Sequence, residues 1–301
     1  MTNGIVNVYK EAGYTSHDVV ACVRRIFGQK KVGHTGTLDP AAEGVLPVCL
    51  GPSTKVCGLL TDQDKTYEAV MRLGVRTDTQ DLTGRILSEC GTIPAPGEVR
   101  AAVLSFSGAY DQVPPMYSAL KVRGKKLYEL AREGTQIERQ PRRVIIRSIE
   151  LLSMDLPDVK LRVTCSKGTY IRTLCDDIGE KLGCGAAMAS LLRTRVGAFD
   201  LADACRIGKL RAAKEAGTLD GYVCSPDRLF PDLPAVRFSE EARRAARNGN
   251  RIPAVQTDAA QPASSGMRVR MYDPDGVFYG IYEADAWAAF RPVKILTDLS
   301  Q

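Results

Sequence analysis

The stretch LRVTCSKGTYIRTLCDDIGEKLG, residues 161–183, decides the fold. Its first five residues alternate apolar and polar, as a strand with one buried face does. After them Ile171, Leu174, Cys175, Ile178 and Leu182 recur at helical spacing up to Gly183. A strand therefore runs through a glycine turn into an amphipathic helix. Upstream, KTYEAVMRLG (residues 65–74) sets Tyr67, Ala69, Met71 and Leu73 on one face and Thr66, Glu68, Val70 and Arg72 on the other, which predicts a second half-buried strand. Strands mixed with helices in no strict βαβ rhythm predict an α/β or α+β protein with antiparallel content. Past Ala212 the texture changes. AGTLDGYVCSPDRLFPDLP (216–234) is rich in Gly, Asp and Pro and reads as a connection, QTDAAQPASSG (256–266) as a surface loop, and MRVRMYDPDGVFYGIY (267–282) as a β-hairpin. With VKIL (293–296) the hairpin predicts a small β-rich domain.

Composition narrows the classes. The 301 residues are 44% apolar and 25% charged, with no apolar run approaching the roughly 18 residues of a membrane helix. The start, MTNGIVNVYKEAGY, has no basic region followed by an apolar segment, so the expected location is cytoplasmic. Nine scattered cysteines without a CxxC pair, and two histidines, predict reduced thiols and no metal site. The net charge is only +6, but between Pro115 and Arg147 nine basic residues face three acidic ones. That single stretch equals the whole excess, and its sign bias points to a polyanionic partner.

GHTGTLDPAAEGVLPV (33–48) carries more turn formers than core packing requires. Pro40 biases Asp39 toward extended backbone, while Gly33, Gly36 and Gly44 permit tight turns, so a carboxylate is presented on a shaped loop. An Asx turn, with Asp39 capping its own backbone, fits the same residues.

This run resembles the catalytic motif of the TruB family of tRNA pseudouridine synthases. The likeness continues in chain order: KTYEAVMRLGVRTDTQDLTG (65–84) resembles the second motif and DQVPPMYSALKVRGKKLYELAREG (111–134) the RNA-gripping insertion. CSKGTYIRTLCDDIGEKLGCGA (165–186) resembles the arginine motif, and LLRTRVGAF (191–199) the leucine segment. The resemblance implies isomerisation of the T-loop uridine at position 55 of tRNA to pseudouridine. The enzyme would be monomeric and would use no cofactor and no metal. Its implied fold is a mixed, largely antiparallel central sheet with flanking helices over residues 1–230, with a basic clamp at about 115–143, followed by a PUA-like RNA-binding domain over 231–301.

By the same resemblance Asp39 is the nucleophile, Arg172 its ionic partner and Tyr67 the residue stacked on the target base and the proton acceptor. Tyr170 and Leu191 frame uracil, and His34 fills the space that flipped bases vacate. Lys121, Lys125, Lys126 and Arg132 contact phosphates from the clamp, with Tyr117 and Tyr128 as apolar anchors; Lys10 and Lys55 are further phosphate candidates. Two departures stand out. Lys10-Glu11 replaces the usual Lys-Pro, and Leu191-Leu192-Arg193 replaces Leu-Arg-Arg, which removes one possible phosphate contact. Simpler readings coexist: Arg172 as a surface i,i+4 partner of Asp176, Tyr67 and Leu191 as ordinary core, and the basic run as a solvated face. At the level of function the rivals are a tRNA-binding or tRNA-folding protein without catalysis, and a hydrolase, although hydrolysis ordinarily wants two flanking carboxylates.

Overall fold

The computed structural model describes residues 1–118, 120–122, 124–135, 137–259 and 264–297. Arg123, part of the 256–266 loop, and the side chains of Lys121, Lys126 and Arg132 lie outside the described residues. The elements used below are β1 (Gly4–Lys10), α1 (Ser16–Phe27), β2 (Val32–His34), β3 (Glu43–Leu50), β4 (Lys65–Leu73), β5 (Gly108–Gln112), β6 (Arg142–Asp155) and β7 (Asp158–Cys165). They continue with α2 (Ile171–Leu182), β8 (Ala186–Val196), β9 (Cys205–Arg206), α3 (Ile207–Glu215), β10 (Ala235–Arg237), β11 (Ile252–Pro253), β12 (Arg268–Tyr272), β13 (Phe278–Ala284) and β14 (Ala289–Ile295). Among the described residues no helix is long and apolar enough to cross a membrane.

Two compact units form: Met1–Asp39, Val45–Thr61 and Ala202–Gln301 in one, Pro40–Gly44 and Asp62–Leu201 in the other. In the first, β1 pairs with β9 in parallel and with β3, and β2 pairs antiparallel with β3. Helix α1 covers this sheet. It starts at a Thr15–Asp18 capping box, ends at left-handed Gly28, and turns Val19, Val20, Val23 and Ile26 into a core with Val6, Val48 and Leu210. The same unit holds a second sheet, ordered β10-β12-β13-β14-β11, in which the expected hairpin pairs Arg268 with Glu283 and Met271 with Gly280.

In the second unit the order is β8-β4-β7-β6-β5, every neighbour antiparallel. The expected mixed, largely antiparallel sheet with flanking helices is what the chain forms. Strand β4 alternates as its sequence predicts, with Tyr67, Ala69, Met71 and Leu73 buried and Arg72 exposed. Helix α2 buries Ile171, Leu174, Cys175 and Ile178 and stops at Gly183, whose φ of 74° suits glycine. It lies hard against the start of β8: a Cβ on Gly179 would sit 2.1 Å from the Ala186 nitrogen. The start of β3 also pairs with β8, in parallel, bringing Gly44 opposite Arg193.

Two stability outcomes follow from α2. Gly179→Ala would gain about 1 kcal/mol of helix propensity, but the methyl meets backbone that cannot swing aside, an overpacking cost of about 1–3 kcal/mol. The urea midpoint should therefore fall; a rise would show that the helix and strand can separate freely. Asp177 is the second case. Burial first, then the charges of Asp176 and Glu180, raise its carboxyl to about 6. A carboxyl raised in the folded state stabilises fully below its unfolded value near 3.8, and that contribution is lost as pH climbs through about 6. Asp177→Asn should therefore stabilise the protein at pH 7 by on the order of 1–2 kcal/mol and much less at pH 4, read from urea titrations at both pH values. An equal effect at both would remove Asp177 as the cause.

Candidate active site

Asp39 and His34 belong to the first unit, in and beside the loop between β2 and β3. That loop is pinned at two points ahead of the carboxylate. The Leu38 side chain is buried, its N–H donates to Ser16 Oγ at 2.9 Å, and the same hydroxyl donates to Leu38 O at 3.3 Å. The first turn of α1 thus sets the position of the residue next to Asp39. Upstream, Thr35 N–H donates to Pro47 O and Thr61 Oγ1 donates to Thr35 O, both at 3.2 Å. Asp39 itself is half-buried. His34 ends β2; its Nδ1 accepts the Gly36 N–H at 3.2 Å, and its ring meets His17 edge-on with centroids 5.3 Å apart.

Tyr67, Tyr170, Arg172 and Leu191 belong to the second unit. Arg172 opens helix α2 and is only 5% exposed. Its guanidinium donates to Thr79 O and to Tyr117 O, each at 2.9 Å, and lies 3.7 Å from the Asp81 carboxylate. Asp81 is itself fixed by Thr79 Oγ1 at 2.8 Å and by the Thr83 N–H at 3.0 Å. The surface pair with Asp176 is not how Arg172 is placed: the Asp176 carboxylate instead accepts from Arg76 Nε at 3.3 Å and Gln80 Nε2 at 3.0 Å. Tyr170 precedes the helix. Its backbone N–H and carbonyl are both held by the Gln112 amide, at 2.8 and 3.0 Å, which ties the helix entrance to β5.

Tyr67 is 8% exposed and lies opposite Arg193 of β8, just as Ala69 lies opposite Leu191. Successive residues of a strand face opposite sides, so Tyr67, Leu191 and Arg193 share one face. Lys65 shares it too, and it is buried. Burial, with the nearby Arg193 charge, pulls the Lys65 ammonium down to about 8. Arg193 hydrogen-bonds Tyr67; burial pulls its guanidinium below the ordinary range and Tyr67 opposes that pull. Asp81, Lys65 and Arg193 are the residues sequence reasoning missed. For the two cations the available signal was an ionic residue at an inward position of an alternating strand.

The phosphate candidates are placed differently. Lys10 is fully buried, with Nζ donating to Glu11 O at 3.1 Å, and Lys55 Nζ donates to Ile295 O at 3.1 Å. Glu11, the departure from Lys-Pro, pairs with Arg206 at 2.6 Å. Within the basic stretch Lys125 lies 3.5 Å from Glu133, Arg143 lies 3.1 Å from Asp111 and Arg147 lies 3.1 Å from Asp64. Exposed pairs of this kind hold their partners weakly and release them to a phosphate at little cost.

Residues 24–171 match the TruB family pseudouridylate synthase N-terminal domain, and residues 172–229 match the tRNA pseudouridylate synthase B C-terminal domain. The tRNA pseudouridine synthase B of Lachnoclostridium phytofermentans is 47% identical over 306 residues, covering 97% of this chain and 99% of that one. Its counterpart in Alkaliphilus oremlandii is 50% identical over 256 residues, 83% of each chain. Among solved structures, a chain of a Cbf5-Nop10-Gar1 complex aligns with a TM-score of 0.71 at 28% identity, over 98% of this chain and 85% of its own. A chain of an H/ACA RNP bound to a substrate RNA containing 2′-deoxyuridine gives 0.70 at 25% identity, over 99% and 86%. With two adjoining domain matches running from residue 24 to residue 229, and near-full-length relatives close to half identical, the chain belongs to the TruB family of pseudouridylate synthases.

Proposed function

We propose that this chain isomerises the uridine at position 55 in the T-loop of tRNA to pseudouridine, with Asp39 as nucleophile and Arg172 as the cation that keeps it ionised. The reaction breaks the N1–C1′ bond, turns the base and rejoins it through C5, so atoms and electrons balance within the substrate and the protein must supply a carboxylate, a proton acceptor and a shaped pocket. Asp39 serves at the sugar. Tyr67 stacks on the base and takes the C5 proton, while Tyr170 and Leu191 define the uracil slot. The uridine leaves the T-loop by flipping, and His34 occupies the vacated space. The stretch at about 115–143, with Lys121, Lys125, Lys126 and Arg132, grips the T-arm, and residues 231–301 form the PUA-like RNA-binding domain following the catalytic domain of residues 1–230. The enzyme works as a monomer in the cytoplasm.

The observation that carries this reading is the burial of Arg172. A guanidinium out of water costs several kcal/mol unless charge and hydrogen bonds compensate it, and a residue kept at that cost in a matched motif is better explained by a carboxylate it must serve than by surface pairing. The bonds to Thr79 and Tyr117 and the nearby Asp81 make that burial tolerable, and the matched motif is what favours Asp39 as the carboxylate it serves.

Two substitutions test the assignment through tritium release from tRNA labelled at uridine C5, since rearrangement must expel that hydrogen. Asp39→Asn keeps the size and removes the nucleophilic charge, so release should fall by roughly 10³-fold or more while tRNA affinity stays near that of the unaltered protein. Substantial release from this variant would make Asp39 a turn residue. Arg172→Lys keeps one charge but loses the planar fork that bonds Thr79 and Tyr117, so turnover should drop on the order of 10²-fold. Near-normal turnover would show that any cation suffices there.

A further inference from the structure

Arg193 heads the largest side chains that are fully buried, at 1% exposure, and it lies inside a sheet, where aliphatic side chains normally go. Its backbone is held from two sides. On one it pairs with Tyr67 of β4; on the other it faces Gly44 so closely that a Cβ there would come within 2.2 Å of Arg193 O. The strand cannot turn over to release the charge, and the guanidinium meets the Tyr67 hydroxyl.

We propose that Arg193 is a positioning residue for Tyr67, holding the phenol oxygen as a hydrogen-bond acceptor and favouring the phenolate that removes the C5 proton. This rests on the reading of Tyr67 as proton acceptor given above. Arginine carries donors and no acceptor, so Tyr67 Oη must receive, and its own hydrogen is turned away from the guanidinium. In the final step the C5–H bond breaks and its proton joins Tyr67 Oη. Its electron pair becomes the C5=C6 double bond, the C6=N1 pair of the C5-linked intermediate moves onto N1, and N1 takes up a proton from solvent. A phenol oxygen already aligned by a fixed cation needs no reorganisation for that transfer.

The groups around Tyr67 all bear on its charge. Lys65 shares its face of β4, and Cys165 of β7 stands opposite Lys65, its thiol pushed up to about 12 by burial and so neutral. Helix α2 supplies Arg172 with Asp81 beside it, while Glu68 on the other face of β4 is occupied by Arg162 and Lys160. Lys65 loses its charge near pH 8, whereas a guanidinium keeps its own, so Arg193 is the lasting cation. Burial by itself raises a phenol, alike in the unaltered protein and in Arg193 variants, so the comparison isolates the guanidinium.

The test uses Arg193→Met, similar in length and uncharged, Arg193→Lys, and Tyr67→Phe. Single-turnover tritium release is followed from about pH 6 to pH 10, alongside tRNA affinity. Arg193→Met should slow release at neutral pH on the order of 10²-fold, with affinity nearly unchanged, and should move the rising limb of the profile about 1–3 units upward, so that the deficit shrinks in alkali. Arg193→Lys should fall between. A second readout needs no turnover: the phenolate absorbance of Tyr67, taken as the difference between each protein and its Tyr67→Phe form, should titrate at higher pH once Arg193 is replaced. If Arg193→Met does not fold, the Arg193→Lys shift in both readouts decides. Unmoved profiles and titrations overturn the proposal, as does an equal rate loss at every pH. If instead Tyr67→Phe releases tritium with the unaltered pH profile, the reading of Tyr67 itself fails, an outcome distinct from the failure of Arg193 alone.

Discussion

Strand β4 is hydrogen-bonded along both edges, to β7 from Lys65 to Arg72 and to β8 from Lys65 to Leu73, and the residues of interest hang from that double ladder. A strand so held has no freedom to slip, because a shift of one residue would carry Tyr67 and Lys65 to the opposite face and bring Glu68 and Arg72 inward. The packing of Ala69, Met71 and Leu73 against the core resists that exchange. Rigidity from apolar burial is thus what holds two cations and a phenol together in a place that each of them, taken singly, would leave for water.

The arginine at the head of α2 depends on the same economy of movement. Two of its donors go to carbonyls of Thr79 and Tyr117, residues that sit in segments without regular structure. Tyr117 lies at the root of the basic stretch, so the segment with the greatest excess of positive charge is joined by one hydrogen bond to the arginine of the site.

Much of this was legible in the chain because it is local. The alternation of residues 65–73, the apolar spacing of residues 171–182, the glycine that ends that helix and the hairpin near the C-terminus each follow from a dozen or so neighbouring residues. Arg193 was legible only as an ionic residue at one position of an alternating run. A charged residue in a strand reads as solvent-facing until its partner strands are known, and here the partners lie more than 100 residues away in sequence. Counting charges had a similar limit. It registered the excess between Pro115 and Arg147, yet could not see that Arg143 and Arg147 stand in strand β6, each beside an aspartate. Lys55, whose ammonium bonds a carbonyl 240 residues away, shows the same blindness.

The pairing of β1 with β9, Val8 against Cys205, has a consequence for synthesis. At about 5–20 residues per second, roughly 10–40 seconds pass between the emergence of these two strands from the ribosome. By the end of that interval the strands β4 to β8 have been made, and all the while the edge of β1 waits uncovered. Helix α1 shields one face of the early sheet during the delay, but only α3 and β9 close it. A nascent chain stalled before residue 205 would already hold the Ser16 and Pro47 anchors of the loop that carries Asp39, while the edge of β1 stayed open.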